Sequence, residues 1–212
     1  MAHERSYPPV FLSTEDIKLQ VSRDAKEGRL HKIGPRLYTP NVVDEPATVV
    51  RRNLWEVVSL LFPDRVVGYR TAIEGKPSPE GTVNLVGGYD RLLELPGLTI
   101  RQIAGPGPLQ GDTRFMGTLW LASRPRAFLE CLRPSRTTPA GSRRLPREEI
   151  ERQMERLARV SGADEVNRLR DQARSLASDL QAEAEFEALN DIIGSTTSSA
   201  RSGSSPVVTR WG

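Results

Sequence analysis

The chain has 212 residues, of which 37% are hydrophobic, 6% aromatic and 27% charged, enough for one large or two small domains with aliphatic cores. No run approaches the roughly 20 apolar residues of a membrane-spanning helix, and no apolar run follows the charged first nine residues, so the reading is a soluble, cytoplasmic protein with no membrane partner. A single cysteine excludes an internal disulfide and a cysteine-based metal site, and two histidines, His3 and His31, lack ligand spacing, so neither metal nor cofactor is expected.

The net charge of +3 is unevenly spread. Residues 1–45 are balanced, 46–142 carry about +4, 143–191 about −3, and the rest about +2. A mild excess of this kind does not establish nucleic-acid binding, which needs Lys and Arg gathered on one surface.

In chain order, Ser13 and Asp16 have the spacing of a capping box, Ile17, Val21 and Ala25 repeat as one apolar stripe, and Gly28 supplies a left-handed stop. These predict a helix over 14–27. Gly34-Pro35 then separates two short strand candidates, 30–33 and 36–39. A glycine-ended helix followed by a hairpin has the order of a recognition helix and wing, in which the helix enters the major groove and basic hairpin residues meet phosphates. Lys18, Ser22, Arg23, Lys26 and Arg29 are the candidates for the groove, and Lys32 and Arg36 for the phosphates. His31 lies among them. Glu15, Asp24 and Glu27 are interspersed and argue for an ordinary solvated helix instead, and few residues precede it.

Asp44-Glu45-Pro46 opens a helix over 47–62, with Val50, Leu54, Val57, Val58 and Leu61 on one side. Strand-like runs follow at 65–69, 82–86, 98–103 and 118–122. The last leads into a helix capped by Ser123 with Pro125 in its first turn, ending near 132 and burying Cys131 as a small hydrophobe. From Leu145 the pattern is helical. Ile150, Met154 and Leu157 define one face, Ser161 and Asp164 form a second capping box, and Val166, Leu169, Ala173, Leu176 and Leu180 continue. The apolar end of the last helix, Phe186, Leu189, Ile192 and Ile193, needs something to pack against and is a candidate docking edge. Residues 195–212, rich in Ser, Thr and Gly, read as disordered.

The sequence EGRLHKIGPRLYTPN (27–41) resembles the winged-helix region of AbiEi-type antitoxins and related transcriptional regulators, which end the wing in Leu-Tyr or Val-Tyr as Leu37-Tyr38 does here. GYRTAIEG (68–75) is similar to the small helix after a strand in that family, and LWLASRPRAFLECL (119–132) to the strand and helix closing its second domain. The resemblance spans about 13–133. The later helices, from Arg147 to Ser195, resemble the segment that joins such a front half to the catalytic domain in a group of bacterial Fic (cell filamentation) proteins. It implies an operator DNA partner and a toxin or Fic-domain protein partner.

Fic enzymes use an HPFxxGNGR-type loop whose histidine is the general base, and no such loop occurs here. The inhibitory pattern [ST]xxxE[GN] is also missing, since Glu27, Glu74 and Glu80 each have Arg or Lys four residues before them. No enzyme is therefore expected, and no catalytic residue is assigned. Gly105, Gly107 and Gly111 form no phosphate loop, because Pro106 and Pro108 remove amides and no Lys-Ser/Thr follows. Asp90, Glu94 and Asp112 lack the D…ExK arrangement of metal nucleases.

The sequence thus predicts an α+β chain: a partial winged helix-turn-helix-like module (1–45), a small α/β domain (46–142), a helical linker or docking segment (143–194) and a disordered tail (195–212). Its expected function is that of a DNA-binding, antitoxin-like regulatory module, the front half of a Fic-family protein. The alternatives are a protein-interaction module that docks a toxin or Fic partner without DNA, and a degenerate remnant.

Overall fold

The computed structural model describes residues 7–134 and 143–202, with side chains to Thr196. The fold is α+β, and it divides into two compact units, Met1–Ala122 and Ser123–Gly212. The divisions expected after residues 45 and 142 are not the ones along which the chain separates. The hairpin region shares its core with residues of the 46–122 stretch, and the helix after Ala122 belongs with the C-terminal helices.

The first unit opens with strand β1 (Phe11–Leu12), helix α1 (Lys18–Lys26) and strands β2 (His31–Gly34) and β3 (Leu37–Thr39). The strands form an antiparallel sheet in the order β1-β3-β2. Alternation of side chains gives the sheet two occupied faces. Phe11 and Tyr38 join Val21, Leu30, Tyr7, Ile17 and Ala25 in a small cluster under α1. Leu12, Ile33 and Leu37 point the other way, into the main core. The sheet is therefore the wall between α1 and the rest of the unit, which is why residues 1–45 form no separate body.

The main core lies beneath α2 (Pro46–Arg52) and α3 (Leu54–Leu61), where Val49, Val50, Val57 and Val58 meet Val83, Leu85 and Ile100 of the larger sheet. The single helix expected over 47–62 is broken at Asn53. There the backbone turns to φ −110° and ψ 27°, while the Asn53 backbone and side-chain amides both donate to the Val49 carbonyl, at 3.1 and 2.8 Å.

The larger sheet contains β4 (Val66–Val67), β5 (Thr82–Val86), β6 (Arg91–Leu95), β7 (Leu98–Ile103), β8 (Thr113–Arg114) and β9 (Trp120–Leu121) in the order β6-β7-β5-β4-β9-β8. Strand β5 is buried on both faces and runs parallel to β7, while β6 returns antiparallel at the edge through the Pro96-Gly97 turn. Helix α4 (Tyr69–Glu74) covers the face opposite α2 and α3, and its Thr71 hydroxyl accepts from the Asn84 backbone amide at 3.0 Å.

The second unit consists of α5 (Arg124–Leu132), α6 (Arg147–Ser161), α7 (Ala163–Leu180) and α8 (Glu183–Ser202). Helices α6, α7 and α8 pack on one another, and α5 packs on α7 and α8. Of the predicted stripes, Ile150, Met154, Val166, Leu169, Ala173, Leu176 and Leu180 are buried, as is Cys131, while Leu157 is half-buried. Within α5 the Arg126 and Glu130 side chains are buried as an ion pair at 2.8 Å. Arg133 donates to the Leu180 carbonyl, satisfying an acceptor left open at the end of α7.

Two expectations for this unit are corrected. The second capping box does not form, since Ser161 remains inside α6 and Gly162, at φ +83°, makes the break. Residues 195–202, expected to be disordered, continue α8. The Ser195 and Thr196 hydroxyls donate to the Ile192 carbonyl at 2.8 and 2.9 Å, so the hydroxyls are satisfied within the helix. The rest of the expected tail, 203–212, lies outside the described residues.

Candidate nucleic-acid interface

Helix α1 is shorter than predicted. It starts at Lys18, with Ile17 as its N-terminal cap residue, and Ser13 does not cap it. Ser13 instead is buried between β1 and the β2–β3 turn, where its amide donates to the Arg36 carbonyl at 2.7 Å and its carbonyl accepts from Arg36 Nε at 2.9 Å. This two-way clasp holds Arg36 at φ +59°, an unusual conformation for a residue with a side chain. It also uses one of the five donors of the guanidinium.

The C-terminal end of α1 is closed as predicted by Gly28, at φ +74°. The Gly28 amide donates to Ala25 O at 3.2 Å and the Arg29 amide to Asp24 O at 2.8 Å, a paired closure that satisfies the last carbonyls. The same two positions are joined through their side chains. Asp24 is buried and accepts from Arg29, from Tyr7 Oη at 2.7 Å and from Gln20 Nε2 at 2.9 Å. Those bonds, that from Arg29 foremost, hold the Asp24 carboxyl below its ordinary pKa. Arg29 is raised in turn, chiefly by Asp24, and it also pairs with Glu27.

The predicted residues therefore fall into two groups. Lys18, Ser22, Arg23, Lys26 and Lys32 are exposed. The side chains of Ser22, Arg23, Lys26 and Lys32 have no hydrogen bond or ion pair among the described residues, and that of Lys18 has only an exposed contact with Glu15 at 3.5 Å. Arg29 and Arg36 are tied to the protein itself, Arg29 as the latch of α1 and Arg36 as the clasp of the hairpin turn. Arg29 thus has a structural role that competes with its assignment to the groove. Its guanidinium is engaged with two carboxylates.

The acidic residues that complicate the sequence reading are all engaged. Glu15 pairs with Lys18, Asp24 is buried, and Glu27 pairs with Arg29. On helical spacing, Lys18, Ser22 and Lys26 share a stripe, and Leu19, Ser22, Arg23 and Lys26 occupy one outward arc opposite buried Val21 and Asp24. Leu19 is 84% exposed at the middle of that arc and went unnoticed in the sequence, where it sits outside the buried stripe without a charge to mark it.

The docking edge expected at Phe186, Leu189, Ile192 and Ile193 is corrected as well. All four are buried inside the helical unit, at 7, 0, 0 and 2% exposure, and Arg174 stacks over the Phe186 ring at 5.4 Å. The packing that their sequence calls for is supplied by the neighbouring helices of the same unit.

The remaining carboxylates singled out by sequence have local roles. Asp90 accepts from the Ala104 amide and Asp112 from the Leu109 amide, each at 2.8 Å, so both serve loop geometry, while Glu94 lies on edge strand β6. Among the described residues no group of three or more His, Cys, Asp or Glu is placed to hold a metal, and no helix is long and apolar enough to cross a membrane. A cavity of about 600 Å³ beside α3, lined by Arg51, Trp55, Ser59 and Met116, is open and mostly apolar. Comparison with protein-family models, with curated proteins and with solved structures found no match to this chain.

Proposed function

We propose that the protein is a DNA-binding regulatory module of the antitoxin type, the front half of a Fic-family protein, with α1 as its reading helix and the β2–β3 hairpin as its wing. The observation that carries this reading is the separation of charges on α1: the acids are paired or buried, and Ser22, Arg23 and Lys26 are left without partners among the described residues on one outward face. The order β1, α1, β2, β3 and the sheet order β1-β3-β2 support it, because they follow a helix with a hairpin in which Lys32 and Arg36 are exposed. A toxin or Fic-domain protein remains the proposed protein partner.

In this reading Arg23 and Lys26 supply donors to base edges or phosphates, Ser22 adds a neutral hydroxyl, and Lys18 and Lys32 neutralise flanking phosphates. Arg29 positions α1 and makes no DNA contact. The activity is binding, with no catalytic step assigned.

The test is fluorescence anisotropy of the labelled fragment upstream of its own reading frame. The R23A/K26A double variant should bind roughly 30-fold or more weakly, with the slope of log affinity against log salt reduced by about 2. Both side chains are exposed, so its stability should stay within about 0.5 kcal/mol of wild type. Unchanged affinity in a folded double variant would refute the assignment.

A further inference from the structure

We infer that Leu19 reads the C5-methyl group of a thymine, making it the residue through which α1 selects A·T pairs at one position of its site. The inference rests on the DNA-binding reading above and extends it to base selection.

A singly exposed leucine is common on protein surfaces and by itself carries no argument. The surroundings of Leu19 are what matter. At 84% exposure it stands on the outward arc of α1 with Ser22 at i+3, Arg23 at i+4 and Lys26 at i+7, three polar side chains with no partner among the described residues. The buried side of the helix is already filled, by Val21 against Phe11 and Leu30 and by Asp24 with its three donors. Nothing in the packing of this unit requires an apolar side chain at 19.

A face built of hydrogen-bond donors around one aliphatic group matches the chemistry of the major groove. There the base edges present acceptors, a few donors and a single apolar feature, the thymine methyl. Arg23 and Lys26, flanking Leu19 one and two turns on, supply the charge that a duplex attracts. An apolar protein partner would leave these two charges to be desolvated, which disfavours it as the occupant.

The test uses the upstream fragment prepared once with thymine and once with deoxyuridine, which keeps base pairing and removes only the methyl. Wild type should bind the uracil form on the order of fourfold more weakly for each methyl contacted. L19A should bind both forms alike, with the affinity that wild type shows for uracil. A change in duplex shape caused by uracil would weaken both proteins by the same factor. Equal ratios in the two proteins, or no thymine preference in wild type, would overturn the role of Leu19. Failure of wild type to prefer the upstream fragment over a scrambled duplex would instead defeat the DNA-binding reading on which it stands. Circular dichroism and thermal unfolding of L19A confirm that the comparison is between folded proteins.

Discussion

Asp24 has a different weight in the fold from the one spacing gives it. In the sequence it is an acidic group on a candidate basic helix and counts against DNA. In the fold it is buried beneath that helix, joined to Tyr7, Gln20 and Arg29. Its folded pKa lies below the unfolded one, so its contribution to stability is complete above the ordinary carboxylate range and is lost as pH falls through the lowered value. Thermal unfolding between about pH 5 and pH 2 should therefore show a steeper acid loss in wild type than in D24N. Parallel curves would mean that the carboxylate is not held as described. Arg126 and Glu130 provide a second case. Removal of the Glu130 charge takes an ion-pair partner from a buried guanidinium, so E130Q should cost more than about 1 kcal/mol in chemical denaturation. A change below about 1 kcal/mol would indicate that water reaches the pair.

At the scale of elements, legibility came from periodicity and punctuation. Strands β5 and β7 lie where their apolar runs predicted, the stripes of α6 and α7 are buried, and Gly28 ends α1 in the left-handed conformation. A Cβ at Gly28 would meet nothing within 4 Å, so only backbone strain opposes G28A, and about 1–2 kcal/mol of destabilisation is expected in equilibrium unfolding. Two-residue strands such as β1 and β8 have no period to detect. Strand β6 escaped because its adjacent Leu92 and Leu93 break alternation, although the Pro96-Gly97 turn after it was a usable signal. The capping patterns failed where a competing bond or a glycine claimed the position. Helix α8 is the largest departure, since its apolar residues have in the sequence the pattern of an edge seeking a partner. They are core, so L189A should destabilise by about 2–5 kcal/mol. Unaltered stability would restore the docking surface.

For the molecule as a whole, composition predicted aliphatic cores and the order of elements an α+β chain, and that is the fold class. The domain boundaries were not legible, because they depend on contacts distant in sequence: Ile33 and Leu37 of the hairpin sharing a core with Val83 and Ile100, and α5 packing on α7 and α8. The candidate DNA surface was legible in its residue types and not in their engagement. Lys18, Ser22, Arg23 and Lys26 could be placed on one face by spacing. That Arg29 is a latch and Leu19 the centre of the face depends on side-chain contacts that no spacing rule contains. With a net charge of only +3, the proposed DNA binding depends on local contacts such as those assigned to α1. The most direct test is competition at fixed salt between the upstream fragment and a scrambled duplex of equal length, using the wild-type chain. Specific binding requires the upstream fragment to be favoured by roughly 1,000-fold or more. Equal displacement by both duplexes would contradict a sequence-reading α1.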